Sequence, residues 1–410
     1  MRGQQTYNQD PENMIGMNAF SLKSSLIISI MLIVCMIASG VSLIGSQLSI
    51  PSSGKILYPL TRLHTDGGYI KNEFGQVVEL TGVCWMDFNI EKAHIDGPQN
   101  STYLETIDWR LNRHKELGIG CIRISMCQGW WVGGGEYGVT PADYQAQLDR
   151  VVQDCQKLGI YVYFVIHYGS SGADLLQAEL MADHNYRQAN WAYGWLDFLK
   201  LLTERYRDYP AFIGLQIWAE PAWGNETDID VLNQKWANFS LASARAIHSV
   251  NPDLLVFVTS PGYYSWKRVS NYYLNNPLPE PNIVYAWQDY YKHQNWRSFY
   301  DNYAAGNYTL AKQQMELWLY DMAFKMVNAS IAPVMYAETG WSTNLDVDPV
   351  EALVLRDTAD IFAKYRQSWT LWVWWSGQPY DLLESDWYTL SPYGRAAAEE
   401  FLPLPQPPTS

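Results

Sequence analysis

Beyond about position 55, short and nearly continuous apolar runs alternate with longer amphipathic ones. Eight of the short runs read as β-strands: residues 77–83, 120–125, 161–167, 212–218, 254–259, 282–287, 333–338 and 368–374. Several are apolar throughout, as expected of parallel strands covered on both faces. The amphipathic stretch after the second run carries a full set of helix signals. Thr140 can cap it, Pro141 suits its first turn and Asp143 can complete a capping box. Tyr144, Leu148, Val151, Cys155 and Leu158 mark one face, and Gly159 closes the end. Asp348-Pro349 opens another helix, which accounts for the acidic stretch 344–348 without a calcium loop. A helix through Tyr206 should end just before Pro210. Eight strand–helix units within residues 57–402 predict an α/β fold, a (β/α)8 TIM barrel whose strands present the site at their C-terminal ends.

Residues 26–44 form an uncharged apolar run, long enough at about 1.5 Å per residue to span a hydrocarbon core of roughly 30 Å. Two readings stand side by side. With residues 1–25 as a polar tail, the run is a transmembrane anchor. With Met17 as the start, a short basic lead, the apolar stretch and Ala38-Ser39-Gly40 have the layout of a cleavable signal peptide. Either reading places the domain outside the cytoplasm, and Asn-x-Ser/Thr sequons at Asn100, Asn225, Asn238, Asn307 and Asn328 point weakly the same way. Residues 45–56 read as a linker, and 403–410 as a Pro-rich tail.

A formal net charge of −14 argues against a nucleic-acid partner. Aromatics reach 15% of the chain, with 19 Trp and 29 Tyr, more than a core requires and suited to a groove that stacks on sugar rings. No zinc-type spacing occurs among the five Cys or seven His, so neither a metal nor another cofactor is expected. Cys84, Cys121 and Cys155 read as buried thiols, and one disulfide stays open as an alternative.

Two carboxylates carry the candidate chemistry. Glu220, in Ile217-Trp218-Ala219-Glu220-Pro221, and Glu338, in Met335-Tyr336-Ala337-Glu338-Thr339-Gly340-Trp341, each end an apolar run where a strand gives way to a loop. Converging at roughly 5–5.5 Å, such a pair can protonate a glycosidic oxygen and attack the sugar, the retaining arrangement. Either residue alone would more simply be a cap or an ion-pair partner.

The order of further motifs resembles glycoside hydrolase family 5, the cellulase family, over roughly residues 57–401. Asp66-Gly67-Gly68-Tyr69-Ile70 through Gly75–Val83 looks like the family's opening hairpin and first strand. Ile122-Arg123-Ile124 is similar to its second-strand arginine motif, and Tyr161–His167 to its third-strand histidine motif. The resemblance implies Glu220 as acid/base and Glu338 as nucleophile. Arg123 would hold the nucleophile ionised. His167 would line the subsite floor, and Tyr290 would donate its hydroxyl to Glu338. Trp374, with Trp375 as competitor, would form the sugar platform, and Trp85, Trp130, Trp131, Trp223, Trp287 and Trp341 are further platform candidates whose plain alternative is packing beneath loops. Two positions depart from the pattern: Ala219 stands where the family has Asn, and Gln288 where it has His. Gln288 is the candidate to replace the missing amide at the sugar 2-hydroxyl.

The expected protein is a monomeric retaining endo-β-glycanase acting on a β-1,4-linked polysaccharide or oligosaccharide, most simply β-glucan. A barrel that binds carbohydrate but hydrolyses it poorly, and a mannanase or exo-β-glucosidase, remain alternatives.

Overall fold

The computed structural model describes residues 60–86, 88, 103–134, 139–168, 183–187, 193–219, 221, 228–259, 272–290, 297–340, 349–376 and 380–400. The chain divides after Ser53, and every described residue falls in the second unit. The tail 1–25, the apolar run 26–44, the linker and the tail 403–410 lie outside the described residues. Within those residues no helix is long and apolar enough to cross a membrane.

The chain opens with a two-stranded antiparallel hairpin, β1 (Leu63–Asp66) and β2 (Tyr69–Asn72). Eight parallel strands follow: β3 (Thr81–Trp85), β4 (Cys121–Cys127), β5 (Tyr161–Tyr168), β6 (Phe212–Gln216), β7 (Leu255–Val258), β8 (Ile283–Tyr290), β9 (Val334–Gly340) and β10 (Ser368–Leu371). They pair in sequence order, and β10 returns to β3 to close a barrel. Each of the eight expected runs contributes one of these strands. Helices wrap the outside, among them Tyr103–Glu116, Pro141–Leu158, Trp195–Tyr206, Ile229–His248 and Pro349–Tyr365.

Local signals explain these boundaries. Thr140 accepts from the Asp143 amide while the Asp143 carboxylate accepts from the Thr140 amide, and Gly159 ends the helix in the left-handed conformation at φ 72°. The helix before Pro210 ends at Tyr206. The first strand starts later than its apolar run, at Thr81. Upstream, Val78 donates its amide to the Ile70 carbonyl and Val77 bridges Lys71, so this stretch extends the hairpin before it joins the barrel.

Strand alternation separates a lumen core from an outer one. Cys121, Tyr163, Leu255, Phe257, Met335 and Ala337 fill the lumen, joined by Leu63, Ile70 and Leu80 from the hairpin region. Ile122, Ile124, Val162, Phe164, Val334 and Tyr336 point outward against the helices. The four described cysteines, Cys84, Cys121, Cys127 and Cys155, are buried free thiols.

Lumen packing also brings strands close. A Cβ on Gly82 of β3 would lie 1.6 Å from the Cys121 carbonyl oxygen of β4, a backbone atom unable to move aside. Gly82→Ala should therefore cost more than ~3 kcal/mol or prevent folding, whereas Thr140→Ala, which removes one cap, should cost about 1 kcal/mol. Urea unfolding of the two variants checks the contrast; equal midpoints would contradict the close strand approach.

Candidate active site

The site is built on one irregularity in β9. Met335 and Ala337 belong to the lumen, while Val334 and Tyr336 face the helices. Strict alternation would send Glu338 outward with Tyr336. Instead, β9 carries one extra residue relative to both neighbours. Against β8 the register steps from Trp287↔Tyr336 to Gln288↔Glu338, and against β10 from Trp369↔Tyr336 to Leu371↔Thr339. A bulge of this kind re-aims a side chain. Here it turns Glu338 into the barrel directly after Ala337. The freed Ala337 carbonyl is taken up by the Cys84 thiol at 3.3 Å and the Thr370 hydroxyl at 2.5 Å.

Glu338 is 1% exposed, and a charge so placed needs compensation from its surroundings. Arg123 Nη2 of β4 lies 2.7 Å from its Oε1, and the Gln288 amide Nε2 donates to the same oxygen at 2.8 Å. The Tyr290 hydroxyl donates to Oε2 at 2.7 Å. Arg123 is itself fully buried and held in place: its Nε donates to Gln216 Oε1 at 2.9 Å, and its Nη1 approaches Cys84 Sγ at 3.8 Å. Burial pulls the arginine pKa down, but Glu338, followed by Cys84, Tyr163 and Tyr290, more than offsets this, so it stands above its ordinary value. Burial also pushes the Cys84 thiol up to about 12.

His167 of β5 is buried beside this group, with Nδ1 3.4 Å from the Ser125 hydroxyl. Burial, aided by the positive charge of Arg123, lowers its pKa to about 3, so it lines the site as a neutral imidazole. Arg123, His167, Gln288, Tyr290 and Glu338, read separately from sequence, thus meet in one cluster, with Arg123 rising from within β4 to the C-terminal parts of β5, β8 and β9. Glu220, Trp223 and Trp341 lie outside the described residues. Ala219 is buried, and its carbonyl accepts from Gln288 Nε2 at 3.4 Å. Gln288 and Ala219 are therefore neighbours, but the amide of Gln288 is spent on Glu338 and on the backbone, not held free for a sugar hydroxyl.

The aromatic expectations need correction. Trp374 is 1% exposed, packed against the His114 ring at 4.4 Å in the outer core, so it offers no open face to a sugar. Trp85 is equally buried, between Phe88 and His114. Trp287 clusters with Tyr336 and Phe362, Trp130 packs on Tyr144 and Trp131 on Phe198. The physical reason is common to all five: Trp85 and Trp287 on their strands, Trp130 and Trp131 on the helix Gln128–Gly133, and Trp374 beyond the end of β10 all join the core layer beneath the helices. Trp375 is half-buried, edge-on to Trp387.

Trp372 was missed by the sequence reading. β10 stops at Leu371, and the Trp372 amide donates to the Thr339 carbonyl at 2.7 Å, next to Glu338. The half-buried indole lies 6.2 Å from the His167 ring. All three tryptophans of Trp372-Val373-Trp374-Trp375 lie beyond the end of β10, and nothing in the sequence distinguishes Trp372 from the other two. Among the described residues no group of three metal-ligating side chains occurs.

An eight-stranded parallel barrel with a polar, carboxylate-centred cluster at its C-terminal strand ends defines the class of (β/α)8 proteins that work from that face. The family model for cellulase, glycosyl hydrolase family 5, matches residues 86–378, and the chain belongs to that family. An endoglucanase of Paenibacillus polymyxa is 24% identical over 255 residues, 55% of this chain and 59% of that protein. Endoglucanase G of Acetivibrio thermocellus is 22% identical, covering 80% of this chain and 68% of the relative. Among solved structures, the hyperthermophilic endocellulase of Pyrococcus horikoshii superposes with a TM-score of 0.60 at 18% identity, covering 83% of this chain and 99% of that one. The catalytic domain of the major endoglucanase of Xanthomonas campestris gives 0.59 at 17% identity, covering 82% and 98%. These likenesses bear out the barrel.

Two expectations follow. Trp85→Ala and Trp287→Ala should each lower stability by ~3–5 kcal/mol, whereas Trp372→Ala, at a half-buried ring, should cost clearly less. Stable variants at Trp85 or Trp287 would mean that these rings are not core. The second concerns acid. His167 and His114 are buried, and burial lowers both to about 3 against an ordinary value of about 6.5. Below roughly pH 6.5 the unfolded chain takes up protons that the folded chain refuses. Their stabilisation is thus fully present above that pH and is lost as pH falls toward 3, by about 1.4 kcal/mol per unit for each imidazole. Urea midpoints should fall steadily from pH 7 to 4.5, and less steeply in His114→Phe; a flat profile would contradict two neutral buried imidazoles.

Proposed function

We propose that the protein is a retaining endo-β-glycanase acting on β-1,4-linked glucan, with Glu338 as nucleophile and Glu220 as acid/base. The observation that carries this reading is the Glu338 carboxylate, buried at a strand end and held by Arg123, Gln288 and Tyr290 in a family 5 chain. Three donors leave the carboxylate fixed in one orientation, which suits attack on an anomeric carbon. Support for Glu220 is the proximity of the preceding residue: the Ala219 carbonyl accepts from the same amide that holds Glu338. The endoglucanases among its relatives favour β-glucan over mannan. The chain spans 59% of the length of the Paenibacillus polymyxa endoglucanase, and its own activity is inferred here from the site.

In the first step Glu338 attacks the anomeric carbon, and the glycosidic oxygen leaves with the proton of Glu220. In the second, Glu220 takes a proton from water, which displaces Glu338 and restores the β configuration. His167, neutral, lines the site without changing charge, and Trp372 is proposed as the sugar platform. Placement outside the cytoplasm, by anchor or after signal cleavage, is part of the same proposal. Exposed sequon asparagines Asn238, Asn307 and Asn328 are compatible with it.

A bare carbohydrate-binding barrel has no need of a carboxylate with this shell of donors. Glu338→Ala should lose at least ~10³-fold in kcat on soluble β-glucan, and azide should restore turnover of aryl β-cellobioside as an α-glycosyl azide. Glu220→Ala should keep activity on aryl glycosides with good leaving groups. Proton NMR of early cello-oligosaccharide product should show the β-anomer first. First release of the α-anomer, or identical behaviour of the two variants, would overturn the assignment.

A further inference from the structure

Gln288 touches both Glu338 and the backbone leading to position 220. The β9 bulge makes Gln288 and Glu338 direct Cα partners across the β8–β9 pair. From there Nε2 reaches Glu338 Oε1 at 2.8 Å and the Ala219 carbonyl at 3.4 Å. Both neighbours are acceptors, so chemistry requires the NH2 side of the amide to face them, and both of its hydrogens are used. We propose that Gln288 is a positioning residue for the nucleophile, tying the Glu338 carboxylate to the Ala219 carbonyl through an uncharged donor that holds at any working pH.

The inference rests on the role proposed for Glu338. The surroundings explain why an uncharged donor suits the place. Arg123 from β4 already neutralises the carboxylate through the same Oε1, and Tyr290 from β8 holds Oε2. Cys84 from β3 faces Arg123, and His167 from β5 lies beside them. Arg123 is held above its ordinary value, Cys84 is raised to about 12 and His167 lowered to about 3. None of these three changes charge between roughly pH 4 and pH 10. An imidazole in place of the amide would titrate near pH 6.5 against the nucleophile itself. A carboxyl group there could donate only while protonated; once ionised, it would repel both Glu338 and the Ala219 carbonyl.

Attachment of a slow-turnover substrate isolates the nucleophile. In 2,4-dinitrophenyl 2-deoxy-2-fluoro-β-cellobioside, Glu338 forms a bond to the anomeric carbon as the bond to dinitrophenolate breaks. The leaving group takes its electron pair without needing a proton, so the acid does not enter. The full chain, Gln288→Met and Gln288→Glu are compared by the rate at which Glu338 is labelled, read by peptide mass spectrometry from pH 4.5 to 8. Gln288→Met should label about 10- to 100-fold more slowly at every pH, with the half-saturating reagent concentration within about twofold of the parent. Gln288→Glu should be as slow as Gln288→Met at pH 8 and recover at least about tenfold relative to the parent toward pH 4.5, where the acid donates as the amide does. Because that variant is compared with itself across pH, the result survives a general loss of stability. Labelling of both variants at the parent rate, or a Gln288→Glu profile parallel to the parent's, overturns the positioning role alone. A parent chain that is never labelled at Glu338 overturns it together with the function on which it rests.

Discussion

The ion pair between Glu338 and Arg123 is the constraint around which the upper barrel is organised. Both side chains are buried, and desolvating two charges is repaid only if their geometry is good and their remaining polar atoms are satisfied. Five strands supply the pair and its polar neighbours. Gln216 and Cys84 hold the guanidinium, while Gln288 and Tyr290 hold the carboxylate. Removing one partner of such a pair costs ~3–5 kcal/mol, because the other charge is stranded. The lumen at this level is therefore polar by necessity.

Below that layer the barrel is packed with apolar side chains. Tyr163 and Phe257 stack at 4.4 Å, and Leu63, Ile70 and Leu80 complete the lumen core from the hairpin region. One end of the barrel thus supplies burial and the other supplies fixed charge. The division keeps the chemistry on strand ends, the part of the fold least free to move relative to its neighbours. The loops that would shape a groove above it are free to vary without disturbing the charged layer.

The barrel was legible because its strands are continuous apolar runs punctuated by strong caps and breaks, signals that act within a few residues. Thr140, Asp143 and Gly159 behave as local chemistry dictates. Arg123, His167, Tyr290 and Glu338 were recognisable from motif order. Two features were not. The extra residue in β9 is invisible in Met335-Tyr336-Ala337-Glu338, since a bulge is defined by the partners' register and not by the strand's own composition. The fate of each tryptophan was equally hidden: Trp372 and Trp374 have the same side chain two positions apart, both beyond the end of β10 at Leu371, yet one ring is half-open and the other packs against His114 in the outer core. Gln288 was noticed as a departure, but its contacts with Glu338 and the Ala219 carbonyl are not visible in the sequence.

The four buried thiols carry a practical consequence for studying the molecule. Cys84, Cys121, Cys127 and Cys155 are shielded from solvent, and burial raises the pKa of each, to about 11 for Cys127 and about 12 for Cys84. A thiol that neither ionises nor meets solvent does not react with maleimides or methanethiosulfonates on ordinary timescales. The described domain is thus chemically silent toward such reagents in its folded state. A single cysteine placed on the outer wall, at the exposed Leu317 for instance, would take up a fluorophore or spin label without competition from these four. Distances from that fixed point to a labelled saccharide could then be followed with these four cysteines left in place.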